Sequence, residues 1–337
     1  MAKHHQSVHE LSMAGIVPPE FVRMKHDQPG ATMFPDTGGP HVPVIDMTNP
    51  DCEACLSDAA MEWGCFQVIN HGVPAAVVAE LQRVGRAFFE LTPEEKCRYS
   101  SDPASGSIEG YKVGTKVQRK LTGMKAWGDF FYHYVSPPSI VNHNIWPQNP
   151  AGYREANEEY CRHMQRLTRE MFEHLSVGLG LEKGAMCEAF GGDDLVLLQK
   201  INSYPPCPQP DLVLGVGPHT DVCTLTILLP NEVPGLQIMK DGRWHDVEYL
   251  PGALVVFIGY QIEIFSNGRY KAGMHRALVD MDKTRMSWPV HVEPPKELAV
   301  GPHPQLVSSC SLPIYKAKKY KDYQYILQTV DGKAAVN

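Results

Sequence analysis

The sequence predicts a mainly β fold with flanking helices, its core a jelly-roll-like antiparallel barrel with the functional site at the barrel mouth. After Gly191-Gly192 the hydrophobic pattern changes from helical spacing to period two. Many short strands with turn signals then follow one another with no helix between them, as a jelly roll requires. Three of these strands each place chemically active residue types on one face: Asn202 and Tyr204, His219 and Asp221, Arg285 and Ser287. A sheet with one solvated face alternates in the same way. The convergence of three such strands favours a polar interior.

The 337 residues read as one elaborated unit. Its parts are an N-terminal arm over 1–40, a mixed helix and strand region over 41–195 packing on the core, the barrel core over 196–298, and a C-terminal helix and tail over 299–337. With 43% hydrophobic and 20% charged residues the chain can bury a core, which excludes wholesale disorder. Net charge is −7 and basic residues are scattered, so neither nucleic acid nor an anionic membrane is expected as a partner. The basic run near Lys316 to Lys321 reads as one solvated helix face. Nine irregularly spaced cysteines read as reduced thiols, and Cys52-Glu53-Ala54-Cys55 has no second pair at zinc spacing. The N-terminus lacks an apolar signal core and no apolar run reaches bilayer length, so the expectation is a cytoplasmic monomer.

In chain order, the arm carries one short apolar segment near Ile16 to Val22. A strand is expected over 42–46, a helix ending near Trp63-Gly64, and a strand over 65–69 that stops at Asn70-His71-Gly72. His71, at a strand end beside glycine, is expected to hydrogen-bond structurally. Val77, Val78, Leu81, Val84 and Phe88 recur with helical spacing, and Thr92-Pro93-Glu94-Glu95 is a capping box opening a further helix. Gly and Ser over 105–114 suggest a flexible connection. The aromatic run from Trp127 to Tyr134 fits strand packing or the wall of a pocket for a flat aromatic ligand. A long amphipathic helix is expected over 153–179, with Met164, Leu167, Met171 and Leu175 on its buried side. Beyond the period switch, Lys200, Asn202 and Tyr204 share one strand face, and Asp241-Gly242 signals a hairpin. Strands over 253–258, near 275–279 and over 285–293 follow, with a turn at Ser266-Asn267-Gly268. A closing helix is expected over 314–327.

His219 and Asp221 supply two-thirds of a 2-His-1-carboxylate triad, the set that leaves open positions for non-haem Fe(II) oxygen chemistry. Alone, such a pair binds metal only about one time in ten. His275, in an apolar strand, is the best third ligand. A competing carboxylate source is His291-Val292-Glu293, also His-x-carboxylate on alternate positions. Arg285 and Ser287 weigh against that choice, because a guanidinium fork beside a hydroxyl suits the bidentate grip of a carboxylate.

The stretch Trp63 to Val73, Asn202-Ser203-Tyr204-Pro205-Pro206-Cys207-Pro208, His219-Thr220-Asp221, His275-Arg276 and Arg285-Met286-Ser287 resemble the 2-oxoglutarate- and Fe(II)-dependent dioxygenases. Within them the chain is similar to the plant flavonoid branch of flavonol synthase, anthocyanidin synthase and type I flavone synthase. The resemblance runs from about Ile16 to Leu327. It implies a double-stranded β-helix, with His219, Asp221 and His275 as Fe(II) ligands. It further implies that Arg285, Ser287 and Tyr204 hold the distal carboxylate of 2-oxoglutarate, with Asn202 nearby, and that ascorbate acts as an activator. Phe130, Tyr132, Lys200, His291 and Glu293 fall at substrate positions, suiting a planar polyphenol.

The implied reaction couples decarboxylation of 2-oxoglutarate to succinate with O2-dependent removal of hydrogen from a flavonoid. A flavanone oxidised at C2/C3 to a flavone or 2-hydroxyflavanone is ranked first. Dihydroflavonol desaturation to a flavonol, or oxidation of another small hydrophobic metabolite such as a hormone, follows. An inactive ligand-binding relative is the reading from another class. Three departures bear on substrate and outcome: His291 where phenylalanine is common, Tyr260 in place of an acidic residue, and Gly273-Met274 in place of bulkier aliphatics.

Overall fold

The computed structural model describes residues 6–29, 41–100, 108–114 and 124–329. Its core is a pair of sheets. The larger has eight strands in the order Val44–Asp46, Cys65–Ile69, Leu254–Ile258, Leu225–Pro230, Arg285–Glu293, Val196–Tyr204, Asp129–Ser136, Gly110–Lys112. Only the first pair is parallel. The smaller has four, in the order Val216–His219, His275–Ala277, Leu236–Lys240, Arg243–Asp246. Leu228, Val255 and Phe257 of the larger sheet cluster with Leu236 and Ile238 of the smaller.

Register settles the ambiguity that alternation left. Arg285 pairs with Tyr204, Ser287 with Asn202, and His291 with both Leu198 and Thr226. Phe130 pairs with Asn202 and Tyr132 with Lys200. All of these therefore share the inner face. The alternate residues Met286, Trp288, Val290 and Val292 join Leu81, Val84 and Phe88 of the helix Ala75–Glu90 and Met164, Leu167, Met171 and Leu175 of the helix Tyr153–Gly178 in one apolar core. Both faces of the strand Arg285–Glu293 are thus covered: Arg285 is 2% exposed and Trp288 0%. The polar face lines an interior.

Most expected elements form where the residues place them. The capping box at Thr92 and Glu95 is present, and Asp241 and Gly242 have φ of 49° and 76°, the left-handed pair of a type I′ hairpin. His71 is structural, its Nε2 bonded to Gly252 O at 2.8 Å.

Four expectations are corrected. A helix, Tyr260–Phe265, interrupts the strand series, and all six of its residues are buried. The arm is more than a polar cover. Ser7 and Glu10 form a capping box for the helix Val8–Met13, and Val8, Leu11 and Phe21 are buried with Trp127, Tyr204 and Val213. Within the expected connection over 105–114, Gly110–Lys112 is an edge strand; residues 105–107 lie outside the described residues. The basic run is not a helix face: Lys318–Lys319 pairs as a strand with Ala299–Val300, Lys319 and Lys321 share Glu297 at 2.9 and 2.7 Å, and the closing helix, Tyr320–Thr329, starts only there. Residues 1–5 and 30–40 of the arm and 330–337 of the tail also lie outside the described residues.

Candidate metal centre and its cavity

His219 and His275 face each other across adjacent strands of the smaller sheet, directly paired in register, with ring centroids 4.2 Å apart. Asp221 follows two residues after the first strand ends. His219 Nε2 lies 3.5 Å from Asp221 Oδ1 and His275 Nε2 3.8 Å from Oδ2. These separations exceed hydrogen bonds, yet one ligand atom from each residue lies within 4.8 Å of the others.

The ring orientations are set from behind. His219 Nδ1 is 2.9 Å from Gly217 O and His275 Nδ1 3.0 Å from Gly273 O. A carbonyl only accepts, so each Nδ1 carries the proton and each Nε2 presents its lone pair to the centre. Burial, and then His219 beside it, lowers the His275 pKa to about 4, so this ring is neutral as ligation needs. Burial alone would raise the Asp221 pKa, but the neighbouring imidazoles outweigh it and hold the carboxyl well below the usual range. Phe257 stacks on His275 at 4.0 Å and fixes its plane. Two imidazoles presenting Nε2 and one ionised carboxylate converging on one point fit Fe(II).

The Asp221 loop is held by the unforeseen helix. Tyr260 N donates to Asp221 O at 2.8 Å, Gly259 N to Thr224 O at 2.7 Å and Gln261 N to Cys223 O at 3.1 Å. The bond to Asp221 uses only the Tyr260 backbone, which any residue but proline could supply, while the ring packs edge-on against Tyr315 at 6.0 Å. Gly273 likewise contributes its carbonyl to His275, and a Cβ there would lie 2.7 Å from Gly64 O.

The same narrow cavity is lined by Lys200, Asn202, Tyr204, Thr226, Arg285, Ser287 and His291 as well as the triad. Arg285 is buried with its Nε unpartnered, stands 5.3 Å over the Tyr204 ring, and has no acidic partner among the described residues. Asn202 Nδ2 donates to Ser287 Oγ at 3.1 Å, which leaves the Ser287 hydroxyl proton free to donate. A buried guanidinium without a counter-ion, beside a free hydroxyl donor, is a prepared carboxylate site. Tyr204 is gripped between Gly128 and Gly215, where a Cβ would come within 2.6 and 2.7 Å of its ring.

The residues singled out for substrate are spread further. Lys200 and His291 line the cavity; Phe130 and Tyr132, on the same face, lie 4.7 and 5.0 Å from Lys200 Nζ. Glu293 lies one strand repeat beyond His291, and burial raises its pKa to about 7. It belongs to neither group able to hold a metal among the described residues, which removes the competing His291-Val292-Glu293 chelate. The second such group, Asp221 with Cys223 and His291, is bridged by a hydroxyl. Thr226 Oγ1 donates to Asp221 Oδ2 at 2.6 Å and lies 3.0 Å from His291 Nδ1. Burial pushes the Cys223 thiol far up, so it stays protonated and a poor ligand. Thr226 is the residue that sequence reasoning missed. It is the only polar side chain in the run Leu225 to Leu229.

Residues 194–294 match the model of the 2OG-Fe(II) oxygenase superfamily, and residues 42–149 match that of the non-haem dioxygenase in morphine synthesis N-terminal region. The chain is 53% identical over 313 residues to a flavonol synthase/flavanone 3-hydroxylase of Petunia hybrida, covering 92% of this chain and 89% of the relative. It is 38% identical to a leucoanthocyanidin dioxygenase of Malus domestica, covering 94% and 93%. The crystal structure of JOX2 in complex with 2OG, Fe and JA superposes with a TM-score of 0.89 at 32% identity, covering 98% of this chain and 96% of that one. The chain belongs to the 2OG-Fe(II) oxygenase superfamily, in its plant flavonoid branch, and is a 2-oxoglutarate-dependent dioxygenase.

Proposed function

We propose that the enzyme desaturates a dihydroflavonol to a flavonol, with His219, Asp221 and His275 holding Fe(II) and Arg285, Ser287 and Tyr204 holding the distal carboxylate of 2-oxoglutarate. The observation that carries the co-substrate assignment is the buried Arg285, with its Nε unpartnered and no counter-ion among the described residues, in the cavity that also holds the triad. The substrate assignment is supported by relatives named flavonol synthase/flavanone 3-hydroxylase, at 53% identity in Petunia hybrida and 49% in Arabidopsis thaliana. They favour dihydroflavonol desaturation over flavanone oxidation to a flavone or 2-hydroxyflavanone, which the sequence alone ranks first. Flavanone oxidation remains the second reading, because His291 gives this pocket a polar ring.

When bound, iron and 2-oxoglutarate supply an O2-derived oxidant, one oxygen atom ending in succinate as CO2 leaves. The other leaves as water with the two hydrogens taken from C2 and C3 of the substrate. The chain's part is to bind, orient and dry the site. Arg285 and Ser287 fix one end of the co-substrate, while Lys200, Phe130 and Tyr132 offer a cation over two rings against which a flat polyphenol can stack. Apolar Leu228, Leu236 and Pro289 line the rest. The same reading includes ascorbate as activator and a monomer in the cytosol, the last supported by nine cysteines that are all free thiols.

The test is incubation with Fe(II), ascorbate, 2-oxoglutarate and separate dihydroflavonols and flavanones, followed by product masses and succinate. Loss of two hydrogens from a dihydroflavonol is expected. A gain of one oxygen on a flavanone alone would favour the second reading, and neither product nor succinate would overturn both.

A further inference from the structure

We propose that Thr226 and His291 form a one-way hydrogen-bond relay that makes His291 Nε2 an acceptor for one hydroxyl of the substrate and holds the metal-binding carboxylate of Asp221 in place. The proposal rests on the flavonoid reading for the nature of the hydroxyl. The Thr226 hydroxyl donates its single proton to Asp221 Oδ2, at 2.6 Å. The Thr226 oxygen is then an acceptor toward His291 Nδ1, 3.0 Å away, and Nδ1 must carry the hydrogen. A neutral imidazole protonated on Nδ1 has a bare lone pair on Nε2. That nitrogen has no hydrogen bond among the described residues, and His291 lines the cavity beside Lys200.

The register makes the relay a property of the fold. Thr226 and His291 are cross-strand partners on the inner face, and Phe257, on the far side of Thr226, stacks on the ligand His275. Thr226 is 2% exposed, so water does not compete for its hydroxyl. A substrate hydroxyl donating to His291 Nε2 completes a chain of three bonds that all point toward Asp221. A substrate lacking that hydroxyl leaves the acceptor unpaired, and the pocket discriminates against it. His291 thereby sets specificity, and Thr226 is a positioning residue acting on both His291 and Asp221.

The protein is loaded with Co(II) and 2-oxoglutarate without oxygen, and flavonoid binding is followed by quenching of tryptophan fluorescence. The ligands are one polyhydroxylated dihydroflavonol and analogues each lacking a single hydroxyl. One analogue is expected to bind about tenfold more weakly than the parent. His291→Phe should erase that difference, and His291→Gln, which returns an acceptor near Nε2, should restore part of it. A preference that persists in His291→Phe overturns the specificity role. Thr226→Val should lower Co(II) affinity of the metal-free protein by at least about tenfold, the usual effect of removing a group that orients a ligand. Thr226→Ser should recover both metal affinity and discrimination, which also separates the relay from a folding defect. Unchanged Co(II) affinity in a folded Thr226→Val protein overturns the positioning role. If wild type oxidises flavonoids yet no analogue is weakened, the relay falls alone. If wild type binds metal and 2-oxoglutarate but no flavonoid, the flavonoid reading falls and takes the specificity role with it.

Discussion

Arg285 gives a prediction in which stability and binding move in opposite directions. Its guanidinium is 2% exposed, its Nε has no partner, and no carboxylate pairs with it among the described residues, so the free protein bears an uncompensated buried charge. Burial lowers its pKa from the ordinary arginine value, but the group remains a cation. Even a whole buried ion pair can be replaced by apolar side chains of similar volume with a neutral or stabilising effect of about 1–4 kcal/mol, and here no partner charge is left behind. Arg285→Met is therefore expected to unfold at the same or a higher temperature than wild type without ligand. With Co(II) present, 2-oxoglutarate at about 100 times its Kd should stabilise wild type by about 2.7 kcal/mol and the variant not at all. Arg285→Lys keeps the charge but loses the fork. One charge-assisted bond is worth about 1.5–3 kcal/mol, so its Kd for 2-oxoglutarate should rise about 10- to 150-fold. Thermal unfolding with and without 2-oxoglutarate reads both effects. Two results would refute the reasoning: Arg285→Met losing more than about 2 kcal/mol without ligand, or retaining the 2-oxoglutarate shift.

Glu293 titrates about 7 when folded against 4.5 when unfolded, because burial disfavours its charge. The native state thus holds its proton more tightly, so Glu293 contributes a loss of stability as pH rises from about 4.5 through 7, worth about 3 kcal/mol in full. Glu293→Gln should flatten that part of the melting-temperature profile, and an unchanged slope would locate the effect elsewhere. Gly259→Ala should weaken Co(II) binding about tenfold and cost about 1–3 kcal/mol of stability, although it adds only a methyl group. A Cβ at Gly259 would sit 2.1 Å from Cys223 O and 2.9 Å from Thr224 O, so the Asp221 loop must move; metal titration and thermal melts check it.

Period two was legible because it follows from backbone geometry: the strand Arg285–Glu293 forms between the residues its alternation marks. Which face was interior was not legible from that strand, since Trp288 and Arg285 are equally buried and only the partner elements differ. Convergence of three strands supplied what one could not. Tyr260–Phe265 escaped because Tyr-Gln-Ile-Glu-Ile-Phe is rich in strand-forming residues and shorter than two helical turns. Its helicity is supported by tertiary contact, Gly259 N to Thr224 O and Tyr260 N to Asp221 O, against local preference. The arm helix carried its own signal, Ser7-Val8-His9-Glu10, a capping box that the surrounding polar composition obscured. Thr226 was hidden for another reason: a hydroxyl in an apolar strand reads as tolerated, and only cross-strand register shows that it meets Asp221 and His291.

The two halves of the site have different mechanical support, and this decides which is more easily damaged. His219 and His275 lie within paired strands, where backbone ladders and the Phe257 ring define their directions. Asp221 lies past a strand end, where a carboxylate would ordinarily wander. Four bonds from one short helix and the Gly259 that caps it compensate: Tyr260 N to Asp221 O, Gln261 N to Cys223 O, Gln261 Nε2 to Val222 O and Gly259 N to Thr224 O. The loop backbone is thereby pinned from outside the barrel and the carboxylate from inside, by Thr226. A metal site needs all three ligands fixed before the ion arrives if binding is not to be weakened by ordering them. The six-residue helix that local sequence conceals is accordingly what makes the third ligand as rigid as the other two.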